Sequence, residues 1–133
     1  MTFGQAIKSV LTHYATFEGR ARRSEYWWWY LLNAIIIAGG YLLVGIFTLI
    51  GYASYSIAVI GFAGFLTFLL YAWILFAAIP SLAVQFRRLH DTDRSGWYWA
   101  LNIVPVAGLI TLIVLLARPG STTKNEYGNA VTK

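Results

Sequence analysis

YWWWYLLNAIIIAGGYLLVGIFTLIGYASYSIAVIGFAGFLTFLLYAWILFAAIPSLAVQF, residues 26–86, runs for 61 positions without Asp, Glu, Lys, Arg or His. One membrane span needs about 20 apolar residues. The run therefore predicts two spans, 26–50 and 57–80, joined by the short turn GYASYS at 51–56, where glycine, serine and tyrosine replace the aliphatic residues. Three spans would leave no room for turns. Pro80 is placed to kink the second span near its exit.

Outside this run the charge is confined to Lys8, the 18–25 segment, the 87–94 segment and the tail from Arg118. The whole chain is 59% hydrophobic and only 11% charged, against about 25% charged in a soluble domain. That balance reads as a membrane protein. The net charge of +5 then reads as topology rather than nucleic-acid affinity, because no basic groove with interleaved stacking aromatics exists outside the membrane-bounded segments. There is no cysteine, so thiolate metal sites and thiol nucleophiles are excluded and redox compartment is not readable. MTFGQAIKSV is too polar for a signal h-region, and no cleavable signal is expected.

Before the first span, Phe3, Ile7, Val10, Leu11, Tyr14 and Phe17 recur at helical spacing. They predict an amphipathic helix over 3–18, too short to span, lying in the interface and ended by Gly19. After the charged loop, 97–117 predicts a third span, bent by Asn102, Pro105 and Gly108. The polar stretch 118–133 follows as a mobile tail covering little apolar surface. The expected fold is all-α: an interfacial N-terminal amphipathic helix plus three transmembrane helices in one domain.

An internal echo marks two entries from one side. RSEYWWW at 23–29 and RSGWYW at 94–99 share arginine, serine, one residue and an aromatic cluster. Ser24 and Ser95 are expected as N-caps. Trp27, Trp28, Trp29, Trp97 and Trp99 are expected as an interfacial belt, where one ring edge is apolar and the other wet. Positive-inside counting gives Lys8, Arg20, Arg22 and Arg23 in one segment and Arg87, Arg88 and Arg94 in the other, with no cation in the intervening turn. This puts the N-terminus in the cytoplasm and, after three spans, the C-terminus in the periplasm.

FEGRARRSEYWWW, QFRRLHDTDRSGWYW and the tail PGSTTKNEYG together resemble the three signatures of the YhaH-like small bacterial inner-membrane proteins, domain of unknown function 805. The resemblance covers nearly the whole chain and implies a helical inner-membrane protein. It implies no established reaction. The tail departs from the family pattern at Ser121 and Glu126 and lacks a following Asp-Pro, which puts any tail-specific role in question.

The ionisable constellation supports several chemistries. His90, Asp91 and Asp93 could ligate a divalent cation, but Arg87, Arg88 and Arg94 would compete for the carboxylates. In turns, such aspartates commonly cap backbone amides. Catalysis would make His90 a general base with Ser24, Ser81, Ser95 or Thr92 as nucleophile; no glycine-framed elbow or phosphate-cradling loop accompanies it. A third reading joins the segments: Arg20, Arg22 and Arg23 complement Asp91 and Asp93, and Glu25 complements Arg87 or Arg88. A fourth uses the arginines for anionic headgroups, at about 1 kcal/mol per cation.

The leading expectation is a non-enzymatic inner-membrane protein, without catalytic residues, metal or cofactor. Its partners would be membrane lipids with anionic headgroups, a second copy of the chain or another membrane protein. An oligomeric transporter or channel component is the alternative. Its polar lining would come from Asn33, Thr48, Thr67, Gln85, Asn102 and Thr111, since no charge lies at mid-span. A membrane-face enzyme or metal site at His-Asp-x-Asp comes third.

Overall fold

The computed structural model describes residues 1–131; Thr132 and Lys133, the end of the expected tail, lie outside the described residues. The chain is helical: α1 is Phe3–Thr12, α2 Arg23–Ala53, α3 Ile57–Asp91, then a 3₁₀ helix Gly96–Ile103 and α4 Ala107–Ala117. Among the described residues the only β pairing is an isolated Asn125–Gly128 bridge. Two compact units divide the chain: Leu31–Ala78 forms one, and Met1–Tyr30 with Ile79–Lys133 forms the other.

α2 and α3, with 31 and 35 residues and a mean hydropathy of 2.3 and 2.2 in their most apolar 18-residue stretches, are long and apolar enough to cross a membrane. They are not the core helices of a soluble fold, since only 6% and 11% of their most apolar windows are buried. Within Leu31–Ala78 they form a hairpin. The turn is a Schellman motif: Ser56 N donates to Gly51 O, Tyr55 N donates to Tyr52 O, and Tyr55 takes the left-handed conformation at φ 52°. Ser56 then caps α3, its hydroxyl accepting from Val59 N. Gly40 and Gly51 let the helices approach; a Cβ at either would lie 2.7 Å from Leu70 Cδ1 or Ile60 Cγ1. Phe47 and Phe62 meet edge to face at 4.9 Å, and Trp73 Nε1 donates to Asn33 Oδ1. Outward side chains such as Leu42, Leu49, Phe68 and Leu75 are 65–74% exposed, a surface stable only in an apolar surrounding.

In the other unit, α1 opens with a capping box between Thr2 and Gln5 and buries Ala6 and Val10 completely. It stops at Thr12 rather than near residue 18. The cause is local: Thr12 Oγ1 and the His13 ring turn back onto the carbonyls of Lys8 and Ser9, and Thr16 N closes a turn on His13 O. Gly19 therefore ends no helix; at φ +85° it re-aims the chain toward α3. α3 in turn continues through the buried Pro80 to Asp91 instead of ending there.

The largest difference from expectation lies in 97–117, which is two helices rather than one. Ser95 caps the 3₁₀ helix by accepting from Trp97 N, as the sequence reading has it. Pro105, without an amide hydrogen, cannot continue the ladder, and the chain reverses in a γ-turn: Ala107 N donates to Pro105 O at 2.6 Å while Val106 sits at φ 58°, ψ −69°. That form of the turn is rare and strained for a side chain. The two pieces then touch backbone to backbone, because a Cβ on Gly108 would run into Leu101 O. α4 buries Gly108, Leu112, Leu115 and Leu116, one helical face, and turns Leu109, Ile110, Ile113 and Val114 outward.

Candidate functional site

The unit formed by Met1–Tyr30 and Ile79–Lys133 gathers most of the chain's charge around one carboxylate. Asp91, the last residue of α3, accepts from Arg20 Nε at 2.8 Å and Nη2 at 2.7 Å through Oδ1, and from Arg88 Nη1 through Oδ2. One turn earlier, Arg87 Nη1 donates to Glu25 Oε1 at 2.9 Å. The sequence's complementary charges therefore meet as Arg20–Asp91 and Glu25–Arg87. Among the described ion pairs, Asp91's partners are Arg20 and Arg88.

Arg20 uses its whole fork. Besides the two bonds to Asp91, Nη2 donates to Ser121 O at 2.5 Å, and Nη1 donates to Thr123 O and Gly128 O at 2.9 and 3.4 Å. Arg88, fully buried, donates through Nε to Leu116 O, through Nη1 to Ala21 O and through Nη2 to Arg118 O. Lysine, a point charge, could not span these acceptors. Burial pulls the Arg88 guanidinium below its usual pKa, and the like charges of Arg23 and Arg20 push the same way, while Asp91 opposes both.

Within the described residues the tail is bonded to this cluster as far as Gly128, where the sequence reading expects a mobile tail covering little apolar surface. Ser121 N donates to Asp91 O, and Asn125 Nδ2 donates to His90 O at 2.8 Å. Tyr127 lies flat on His90, with centroids 4.0 Å apart and rings within 1° of parallel. Gly120 is required, since any Cβ there would collide with the Asp91 carboxylate, and Gly128 adopts φ +130°. Ser121 takes part chiefly through its backbone and Glu126 is exposed, so these two departures from the family pattern leave the docking intact.

His90, which no topological argument required, has a structural role here. Its Nδ1–H donates to Gly19 O at 3.1 Å, and its ring carries Tyr127. Burial lowers its pKa below 6.5, partly offset by that bond, so at neutral pH it is uncharged with the proton on Nδ1. His90, Asp91 and Asp93 do not converge. Asp93 is exposed at φ 59° in the turn, and among the described residues no three His, Cys, Asp or Glu side chains are grouped to hold a metal ion. Arg94 reaches Tyr98, with its guanidinium 5.5 Å from the ring centroid.

The expected belt divides. Trp27 and Trp28 are 44% and 37% exposed and Trp97 81%, while Trp99 is half-buried. Trp29 is fully buried, its Nε1 donating to Ser81 Oγ at 2.9 Å, because it shares the inward face of α2 with Glu25, Tyr26 and Asn33. Ser24 lies inside the first turn of α2 rather than before it as an N-cap.

Sequence reasoning missed Gly120, Asn125, Tyr127 and Gly128. The motif PGSTTKNEYG was the available signal.

Two outcomes test this geometry. Arg87 Nε and Nη2 are buried without a hydrogen-bond partner, so the pair with Glu25 is all that compensates this charge. Glu25→Met is expected to cost about 3–5 kcal/mol in unfolding measured in micelles, and adding Arg87→Met should recover most of that loss. For His90, the folded pKa is depressed, so the unfolded chain binds the extra proton first as pH falls. Its contribution is complete above about pH 6.5 and is lost below it. A melting temperature that falls from pH 7 to pH 5 in the parent should flatten in His90→Asn, whose amide can still donate to Gly19 O.

Comparison with known proteins places this geometry in a family. Residues 14–129 match the family described as protein of unknown function (DUF805), a span that holds the charged cluster and the tail as far as Gly128, the last residue bonded to it. The inner membrane protein YhaI of Escherichia coli (strain K12) is 40% identical over 121 residues, 91% of this chain and 90% of its own. The inner membrane protein YhaH of the same strain is 39% identical over 119 residues, 90% and 89% of the two chains. No solved structure matches. On the breadth of these matches, the chain belongs to the DUF805 family of inner-membrane proteins of unknown function.

Proposed function

We propose that this protein is a multi-pass, non-enzymatic inner-membrane protein that presents a rigid, basic platform to anionic lipid headgroups at the cytoplasmic face. The observation that carries the reading is a charge imbalance in the packed cluster. Among the described residues, and leaving Arg22 out of the count, Arg20, Arg23, Arg87 and Arg88 share it with Glu25 and Asp91, a surplus of two positive charges. Trp27 and Trp28 stand exposed one turn along α2, where an aromatic belt marks the headgroup layer. Arg87 and Arg88 are engaged inside the protein, so the lipid-facing cations are the exposed Arg23 and Arg94. Oppositely charged lipid supplies about 1 kcal/mol per cation.

The membrane path follows from the same cluster. Two crossings, α2 and α3, return the chain to the side from which it started. The tail is bonded through Arg20 and Arg88 to the segments flanking those crossings. Both termini then lie in the cytoplasm, and 96–117 enters and leaves the same face as a re-entrant pair rather than as a third span. α4, with 11 residues, is about 16 Å long, half the hydrocarbon thickness. Thr67 and Thr111 bond back to their own helices and Asn33 to Trp73, which supports a packed scaffold over a conducting path.

A green fluorescent reporter fused after the last residue should light up, and a periplasmic phosphatase reporter at the same point should be silent; the reverse result would restore three spans. Protein extracted from native membranes should retain anionic over zwitterionic phospholipid in mass spectra, and equal retention would end the lipid reading.

A further inference from the structure

The hairpin Leu31–Ala78 carries two hydroxyls at a depth where lipid offers them no partner. Tyr41 lies about three turns before Ala53, the end of α2, and Tyr71 about four turns after Ile57, the start of α3. Both are therefore about 20 Å from the connecting turn, near the middle of a hydrocarbon layer about 30 Å thick. Tyrosine ordinarily settles at the headgroup level, where its hydroxyl stays wet; from this depth neither ring reaches it. Tyr41 and Tyr71 hydrogen-bond one another through their side chains, yet they are 50% and 53% exposed. Each phenol carries one proton and can accept as well as donate. The bond between them uses one proton, and among the described residues nothing takes the other. A hydroxyl left unbonded in hydrocarbon is costly, so the pair calls for an acceptor from outside the chain at the same depth.

The face around the pair allows close approach. By helical phase, Tyr41 shares its side of α2 with Ala34, Gly45 and Thr48, and Tyr71 shares its side of α3 with Gly64, Thr67 and Ala78. A Cβ on Gly45 or Gly64 would meet nothing within 4 Å, so both positions are open. Bulk sits on the other sides of the hairpin, where Leu42, Phe65 and Phe68 are exposed.

We infer that this face joins two copies of the chain. Copies in one membrane share an orientation, so a twofold axis along the membrane normal sets residues of equal depth against each other. α2 of one copy then lies antiparallel to α3 of the other. The register inside the hairpin, Gly40 at Leu70 and Gly51 at Ile60, gives the pairs of equal depth: Tyr41 faces Tyr71 of the second copy, Gly45 faces Thr67, and Thr48 faces Gly64. Each threonine meets a glycine, the small and polar packing by which membrane helices associate. At the centre four phenols close a ring in which each donates once and accepts once. An acyl chain supplies no acceptor, and an unrelated protein would need one at this depth by coincidence. The inference goes beyond the lipid reading and needs only that α2 and α3 cross the membrane.

The test uses the full chain, which has no cysteine of its own. A Gly45→Cys copy and a Thr67→Cys copy carrying different tags should be joined by a thiol-bridging reagent in native membranes. Leu42→Cys with Phe68→Cys, equal in depth but on other sides, should not. In bilayers of zwitterionic lipid, single-molecule photobleaching of the labelled parent should follow dimers separating into monomers on dilution. Tyr41→Phe with Tyr71→Phe, which keeps both rings, should shift that equilibrium about tenfold toward monomer, and Leu42→Ala with Phe68→Ala should leave it in place. The bridging arm keeps both tyrosines and so stands whether or not the phenylalanine variant folds. Bridging of the Leu42→Cys and Phe68→Cys copies instead, a parent monomeric at every dilution, or a folded phenylalanine variant that dimerises as the parent does would overturn the inference. Bridging of Gly45→Cys to a different membrane protein in place of Thr67→Cys would overturn it too.

Discussion

A single buried carboxylate shared between two arginines is the constraint on which the rest of this unit depends. Asp91 ends α3, Arg20 belongs to the segment before α2, and Arg88 reaches the end of α4 and the start of the tail. A buried guanidinium is tolerable only when its charge is matched and its donors are used. The two arginines share one carboxylate and place their remaining donors on six main-chain carbonyls, whose dipoles face the charge that Asp91 does not match. Three stretches of chain far apart in sequence are thus held by one charge. Ser121 N on Asp91 O and Asn125 on His90 O then extend the hold along the tail.

The same economy leaves positive charge over. Carboxylates are few among the described residues of this cluster, and Glu25 and Asp91 are committed to internal pairs, while Arg23 stands exposed. In a soluble protein that surplus would be a solvated face. Beside the exposed Trp27 and Trp28, it suits a phosphate-rich interface. The strained turn at Val106 reverses the chain, Gly108 permits the close return, and the end of α4 meets the arginine that binds it.

Much of this was legible in the residues. The long gap in charge gave the two long helices, and the complementary signs of 20–25 and 87–94 gave the meeting of those segments. What was hidden was hidden for physical reasons. Arg20 and Arg88 bind the tail through backbone carbonyls, which every residue carries and no sequence distinguishes. Hydropathy sums over 97–117 register apolar content but not the direction of the chain after Pro105, so two short helices read as one. In YWWWY all three indoles look alike, and only the helical phase of Glu25, Tyr26 and Asn33 separates the inward Trp29 from its neighbours. His90 looked chemical because nothing local needed it; its partners, Gly19 O and Tyr127, lie 71 residues back and across the tail.

The central claim is that Arg20 and Asp91 act as one unit in holding the tail. Amide hydrogen exchange over 121–128, followed in Arg20→Gln, Asp91→Asn and the double variant, tests it most directly. The account predicts that either single change opens the tail and that the double change opens it no further, a coupling of about 1–3 kcal/mol. Additive effects, or a tail that stays protected in both single variants, would contradict it.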